Sequence, residues 1–170
     1  GSLVECRVHI RQCGSRQVVA DIQCWVGDRC WADIRGWEDW RFETDERLWP
    51  MLQFPDRHVL AESVESSLWK MDLRGRSSRG LEDLSRRFLG VSDRQKWSEL
   101  KRDAGRDWLA GRIAAIDAVR SLLFSEGEKS VFPLQIQIGN TESGSPVVTT
   151  TGNWGDIHVS IAHKDGIGIA

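Results

Sequence analysis

The chain has 170 residues, 40% of them hydrophobic and 28% charged, with a formal net charge of −2. That length suits one or two small domains, and the composition is that of an ordinary globular protein. The near-neutral balance gives no bulk electrostatic reason for a nucleic-acid or membrane partner, and no apolar run is long enough to span a bilayer.

Taken in order, the chain opens on strand patterns. Val4, Cys6, Val8 and Ile10 alternate with Glu5, Arg7 and His9. After Gly14-Ser15, residues Val18, Ala20, Ile22, Cys24 and Val26 alternate with Gln17, Asp21 and Gln23. After Gly27-Asp28, residues Cys30, Ala32 and Ile34 continue the pattern. Alternation over three segments separated by glycine-containing turns predicts a three-stranded antiparallel meander over residues 3–35. Three strands make a thin core, so such a sheet needs something against its apolar face. The four cysteines, Cys6, Cys13, Cys24 and Cys30, lack the paired close spacing of a zinc site. Cys6 and Cys24 fall on apolar strand faces, which predicts reduced, packed thiols in a cytoplasmic protein.

The next stretch, Ile34-Arg35-Gly36-Trp37-Glu38-Asp39-Trp40-Arg41-Phe42, and the preceding Val-Val-Ala-Asp-Ile pattern resemble the closing strands of a polyketide synthase dehydratase domain. The dehydratase motif HxxxGxxxxP is absent, and His9 and His58 sit in no such pattern, so no dehydratase activity is expected. Nor is a free-standing hot-dog thioester enzyme. Trp37, Trp40 and Phe42 are expected to pack beneath arginine side chains.

Trp49-Pro50 and Phe54-Pro55 interrupt any long helix in the connection that follows. Ala61, Val64, Leu68 and Met71 have helical spacing, which predicts a helix over Ala61–Met71. Arg74-Gly75-Arg76-Ser77-Ser78-Arg79-Gly80 reads as a basic, mobile linker. Leu81, Leu84 and Phe88 predict a short amphipathic helix, with Gly90 at its C-terminal end and Ser92 or Asp93 capping the next. Leu109, Ile113, Ile116, Val119 and Leu123 recur at intervals of three and four and predict a long helix with one apolar stripe. Pro133–Asn140 reads as an alternating strand that ends in a turn. Val159 and Ile161 alternate with Ser160 and Ala162 and run to His163. Lys164-Asp165-Gly166 reads as a turn, and Ile167 and Ile169 as a returning strand. Ile136, Val159, Ile161 and Ile167 are expected to share one sheet under the long helix.

Three of these segments, in order, resemble the 4′-phosphopantetheinyl transferases. The helix Trp108-Leu109-Ala110-Gly111-Arg112-Ile113-Ala114-Ala115-Ile116-Asp117-Ala118-Val119-Arg120 resembles the family's WLxGRxAAKxAVR helix. The strand of Pro133–Asn140 with Gly144-Ser145-Pro146 resembles its DIxI…GxP segment. Val159-Ser160-Ile161-Ala162-His163 resembles its (I/V)S(I/L)(S/A)H strand. Two positions depart: Ile116 and Ser145 stand where the family carries basic residues.

The resemblance implies an α+β fold, with a small antiparallel sheet at the N-terminus and a transferase-like lobe after it. It implies coenzyme A as substrate and an acyl carrier protein as partner, with His163 at the coenzyme A phosphates. Arg94, Lys96, Arg106 and Arg112 are the candidate cationic contacts. The implied organisation is a dehydratase end and linker over 3–60, a connecting helix and basic linker over 61–80, and a first lobe over 81–170, as in iterative enediyne-type polyketide synthases. It also implies Mg2+ in a complete enzyme, held in larger members by a (G)(I/V)D(I/V)E strand after the His motif and a Glu on a later helix. No D-x-E occurs in residues 81–170, so the carboxylates are expected from a second lobe or from self-association. No catalytic residue and no metal ligand is assigned. The alternative is a catalytically inactive docking or scaffold module, to which the lost basic positions would also lead.

Overall fold

The computed structural model describes residues 3–14, 17–40, 47–152 and 154–170. The chain divides into two compact units, Gly1–Thr44 and Asp45–Ala170.

The first unit is an antiparallel meander of β1 (Glu5–Cys13), β2 (Gln17–Val26) and β3 (Arg29–Trp40), in that order. The register aligns Cys6, Cys24 and Ala32, then Val8, Ile22 and Ile34, so one face is apolar as the alternation predicts. A register shift between Ala20 and Ile22 accompanies Gly36, whose φ of 66° lies in the left-handed region that favours glycine. The Gly36 amide donates to the Asp21 carboxylate at 2.9 Å. That arrangement is a β-bulge, and it lets β3 run on past Ile34 to Trp40. Two expectations are corrected. Trp37 and Trp40 are exposed rather than packed under arginines, and the arginine–tryptophan stack in this unit is Arg7 over Trp25 at 4.7 Å. Cys6 is an exposed free thiol rather than a packed one. Phe42 lies outside the described residues.

The second unit is built on one helix. It begins with α1 (Leu48–Gln53), a hairpin of β4 (Glu62–Glu65) and β5 (Leu68–Asp72), α2 (Ser78–Phe88) and α3 (Val91–Glu99). The long helix α4 (Arg102–Ser125) follows, then a 3-10 turn at Pro133–Gln135, β6 (Ile136–Asn140), β7 (Pro146–Thr150), β8 (Ala162–Lys164) and β9 (Ile167–Ile169). A four-stranded sheet has the order β4-β5-β9-β8, and β6 pairs with β7 in a two-stranded sheet. The α4 stripe of Leu109, Ile113, Ile116, Val119 and Leu123 forms the centre of the core. Ile116, only 2% exposed, is therefore a packing residue of the core. Gly168 lets β9 lie directly on α4, because a Cβ there would overlap the backbone of Ala110 and Gly111.

The helix predicted over Ala61–Met71 is instead the β4–β5 hairpin. Its spacing fits either element, but Ser66 and Ser67 turn the chain and β5 gains a ladder with β9 that a helix could not make. The predicted linker at Arg74–Gly80 is half helix: the Ser77 side chain caps α2 by accepting from the Gly80 amide at 3.1 Å. Gly90 has an extended backbone and is the N-cap of α3, so neither Ser92 nor Asp93 serves that role. Ile136 belongs to the two-stranded sheet, not to the sheet of Ile167. Val159 and Ile161 precede β8, and His163 lies within it, paired with Gly168. The turn is Asp165-Gly166, with φ of 52° and 77°, the left-handed pair that a two-residue hairpin turn demands.

A buried ion pair ties the first residues of this unit to α4. The Asp117 carboxylate accepts from the amides of Leu60 at 2.7 Å and Ala61 at 3.0 Å, and from Arg120 Nη1 at 2.6 Å. Arg120, fully buried, also donates to the carbonyls of Val131, His58 and Pro55. Burial pushes the Asp117 carboxyl above its ordinary range and the Arg120 guanidinium below its own; each partner opposes the shift of the other.

Candidate functional site

Helical spacing puts Trp108 and Arg112 one turn apart on the same face of α4. Beside them stands the β6–β7 hairpin, which contributes Asn140 and Pro146 from its strand ends and Gly144 from its loop. His163 of β8 closes the third side, and the three elements enclose a cleft of about 280 Å3. The loop takes its shape from Gly144, at φ 87°, whose carbonyl accepts from Asn140 Nδ2 at 2.9 Å. This bond fixes the amide orientation, so Asn140 Oδ1 accepts from Arg112 Nη2 at 3.0 Å. The Arg112 guanidinium lies 4.8 Å from the Trp108 ring centroid.

Arg112 is the electrostatic centre of the cleft. It is 9% exposed, and its Nη1 is buried without a hydrogen-bond partner. Burial holds its pKa below the usual guanidinium value, with Asp93 acting in the opposite sense. Arginine stays protonated even so. A buried cation with an idle donor is costly unless an anion joins it, and a phosphate oxygen supplies both charge and acceptor.

His163 is set by a close approach to the helix. A Cβ on Gly111 would stand 3.0 Å from His163 Cδ2 and 3.0 Å from Ile161 Cγ2, so glycine makes room for the imidazole. The turn beyond it is pinned to α4 by Asp107, which accepts from the Gly166 amide at 2.6 Å.

Of the five residues predicted for the site, the cleft brings together His163 and Arg112. Arg94 and Lys96 lie on α3 outside the cleft lining, and Lys96 pairs with Asp93 at 3.6 Å. Arg106 lies on α4 two residues before Trp108, outside the cleft lining. Its aliphatic part is beside Gly166, its Nε is buried without a partner and its Nη1 is 3.4 Å from Asp103. Trp108, Asn140 and Asp107 are not among the predicted site residues. Trp108 stands in the WLxGR motif, which offered a signal; for Asn140 and Asp107 only the fold shows the role.

The cleft does not suit magnesium, which takes oxygen ligands including carboxylates. No carboxylate lines it. Both Asp117 oxygens are engaged, and Asp107 serves the Gly166 amide. Among the described residues no group of three or more His, Cys, Asp or Glu side chains could hold a metal.

No family model matches the chain. Holo-[acyl-carrier-protein] synthase of Geobacillus sp. (strain WCH70) is 33% identical over 84 residues, which are 49% of this chain and 71% of that protein. The chain belongs to the holo-[acyl-carrier-protein] synthase family. A second member, from Bacillus cereus (strain G9842), is 31% identical over 84 residues, 70% of its length. The crystal structure of a holo-(acyl-carrier-protein) synthase from Bacillus anthracis str. Ames in complex with CoA (3′,5′-ADP) superposes with a TM-score of 0.50 at 25% identity. That match covers 61% of this chain and 88% of the other. The α+β fold class expected from the sequence is thereby confirmed within this family. No helix among the described residues is long and apolar enough to cross a membrane.

Proposed function

We propose that this chain is the coenzyme A-binding part of a phosphopantetheinyl transferase, with the cleft of Trp108, Arg112, Asn140 and His163 as its phosphate site. The observation that carries the reading is Arg112, a buried guanidinium with one donor idle in a cleft whose lining holds no carboxylate. Arg112 of α4 and His163 of β8 both line the cleft, so both can hold one pyrophosphate. In the reaction a carrier-protein serine hydroxyl attacks the phosphorus that bears the pantetheine arm. The new Ser O–P bond forms as the pyrophosphate P–O bond breaks, the hydroxyl proton leaves, and adenosine 3′,5′-bisphosphate departs. Such transfers depend on positioning and on neutralising phosphate charge, the two things Arg112 is placed to do. The acyl carrier protein is the partner and the cytoplasm the setting. Arg94 and Lys96 on α3, and Arg106 near the start of α4, are the proposed contacts for the outer end of coenzyme A.

The parent system we propose is a polyketide synthase of the iterative enediyne type, making an antibiotic-like product, with the meander of β1–β3 as the end of a dehydratase domain. The support is the run from Ile34 to Trp40 and its place ahead of the transferase segments. In that arrangement residues 3–60 are the dehydratase end and linker, 61–80 the connection and 81–170 the first lobe. A second lobe or a second copy supplies the carboxylates for Mg2+.

The scaffold reading, in which the lobe only docks, is favoured by Ile116 in the core and Ser145 in the β6–β7 loop, both without charge. One experiment separates the two. The chain is mixed with coenzyme A, Mg2+ and an apo acyl carrier protein, with binding read by calorimetry and transfer by mass spectrometry. The transferase reading expects coenzyme A binding with little or no transfer by this chain alone. Absence of binding would leave the scaffold reading.

A further inference from the structure

All four cysteines lie in the β1–β3 unit and are free thiols. Two of them meet. Cys6 of β1 and Cys24 of β2 are direct partners in the antiparallel ladder, inside a stretch of unbroken register that runs from the pair Glu5 and Trp25 to the pair Ile10 and Ala20. Direct partners point to the same face of the sheet, with Cα atoms about 4.5–5.5 Å apart. A disulfide spans Cα separations of about 4.4–6.8 Å, so this pair can close within the existing ladder. The other two thiols are placed differently. Cys13 stands opposite Val18 and Cys30 opposite Trp25, and the Cys30 thiol donates to the Ala32 carbonyl at 3.3 Å.

The two facing thiols have different surroundings. β1 is an edge strand of the meander and Cys6 is exposed, whereas Cys24, on the central strand, is half-buried. Burial pushes the Cys24 thiol up, and Cys6 beside it acts in the same direction. A solvent-accessible thiol that meets an oxidant first, with a second thiol next to it to resolve the adduct, is the arrangement of a redox-responsive pair. We infer that Cys6 and Cys24 form a reversible redox site, at which a low-molecular-weight disulfide installs a bridge between β1 and β2.

The step is thiol–disulfide exchange. The Cys6 thiolate attacks one sulfur of the oxidant, forming a mixed disulfide and releasing one thiolate. Cys24, its proton lost to water, then attacks the Cys6 sulfur and expels the second thiolate. Two protein thiols and one small disulfide become one protein disulfide and two small thiols, and the two electrons pass from the protein to the oxidant. Facing Cβ atoms in a ladder stand about 4.5–5.5 Å apart, against about 3.8 Å across a disulfide. Closure therefore draws the two side chains together under strain, and a strained, exposed bridge is a labile one that excess thiol reopens. While closed, it ties the edge strand to the centre of a sheet only three strands wide.

The test treats the whole chain with oxidised glutathione and maps its disulfides by mass spectrometry of unreduced proteolytic fragments. Wild type and the double variant Cys13→Ser/Cys30→Ser should each lose two hydrogen atoms and yield the fragment of Cys6 joined to that of Cys24. Cys24→Ser should stop at a glutathione adduct on Cys6, and Cys6→Ser should react at least about tenfold more slowly at Cys24, the less accessible thiol. Excess reduced glutathione should return the bridged wild type to its original mass. A glutathione adduct that persists on Cys6 of the wild type overturns the inference, as does a bridge that uses Cys13 or Cys30 or joins two chains. A Cys6–Cys24 bridge that excess reduced glutathione leaves closed overturns its reversibility. The wild-type map alone decides these points, whether or not each serine variant folds.

Discussion

Replacing Asp117 by alanine tests what joins Leu60 and Ala61 to α4. The substitution strands the buried amides of Leu60 and Ala61, at about 1–3 kcal/mol each. It also leaves the Arg120 guanidinium without its counter-ion, and breaking a buried pair costs about 3–5 kcal/mol. These terms overlap, because all four groups share one network, so the expected loss is about 4 kcal/mol or more. A domain stable by about 5–15 kcal/mol would be left near the threshold of folding. Urea titration followed by circular dichroism gives the loss, and hydrogen exchange at the Leu60 and Ala61 amides localises it. The sharper check is the double variant Asp117→Ala/Arg120→Met. If the pair were merely two opposed charges, removing both would restore stability. Arg120 also holds the carbonyls of Val131, His58 and Pro55, so the double variant should be no more stable than the single one. Recovery in the double variant would refute the clamp.

Two other substitutions probe α4. Ile116→Lys restores the family's basic residue but buries an amine among Leu109, Ile113 and Val119, so thermal melts should show a loss of about 2–4 kcal/mol; an unchanged melt would place Ile116 at the surface. Gly111→Ala puts a methyl against His163 and Ile161, and should weaken coenzyme A binding while costing only about 1–2 kcal/mol of stability; unchanged affinity in calorimetry would separate His163 from the ligand.

The sequence exposed what local pattern controls. The β1–β3 meander shows in the alternation from Val4 to Ile34, and α4 shows in the spacing of Leu109 to Leu123. Ala61–Met71 is ambiguous because Ala61, Val64, Leu68 and Met71 fit a helix, and only the pairing of Lys70 with Ile169, far along the chain, decides for a strand. Trp37 and Trp40 look like core residues by type, but both stand exposed on β3. In the cleft, Arg112 and His163 are visible in short motifs. Asn140 is not, because its role depends on the Gly144 carbonyl turning its amide toward Arg112. Nothing in the helix pattern marks Asp117 and Arg120 as buried; their burial comes from the chain around Pro55–Ala61 lying over them.

The central claim is that Arg112 and His163 hold the phosphates of coenzyme A. Calorimetric titration of coenzyme A into the wild-type chain, Arg112→Gln and His163→Ala, each checked for folding by circular dichroism, tests it most directly. Hydrogen bonds to charged groups contribute about 1.5–3 kcal/mol, so each variant should bind about 10–150-fold more weakly than wild type. Equal affinities for the wild type and Arg112→Gln would contradict the claim.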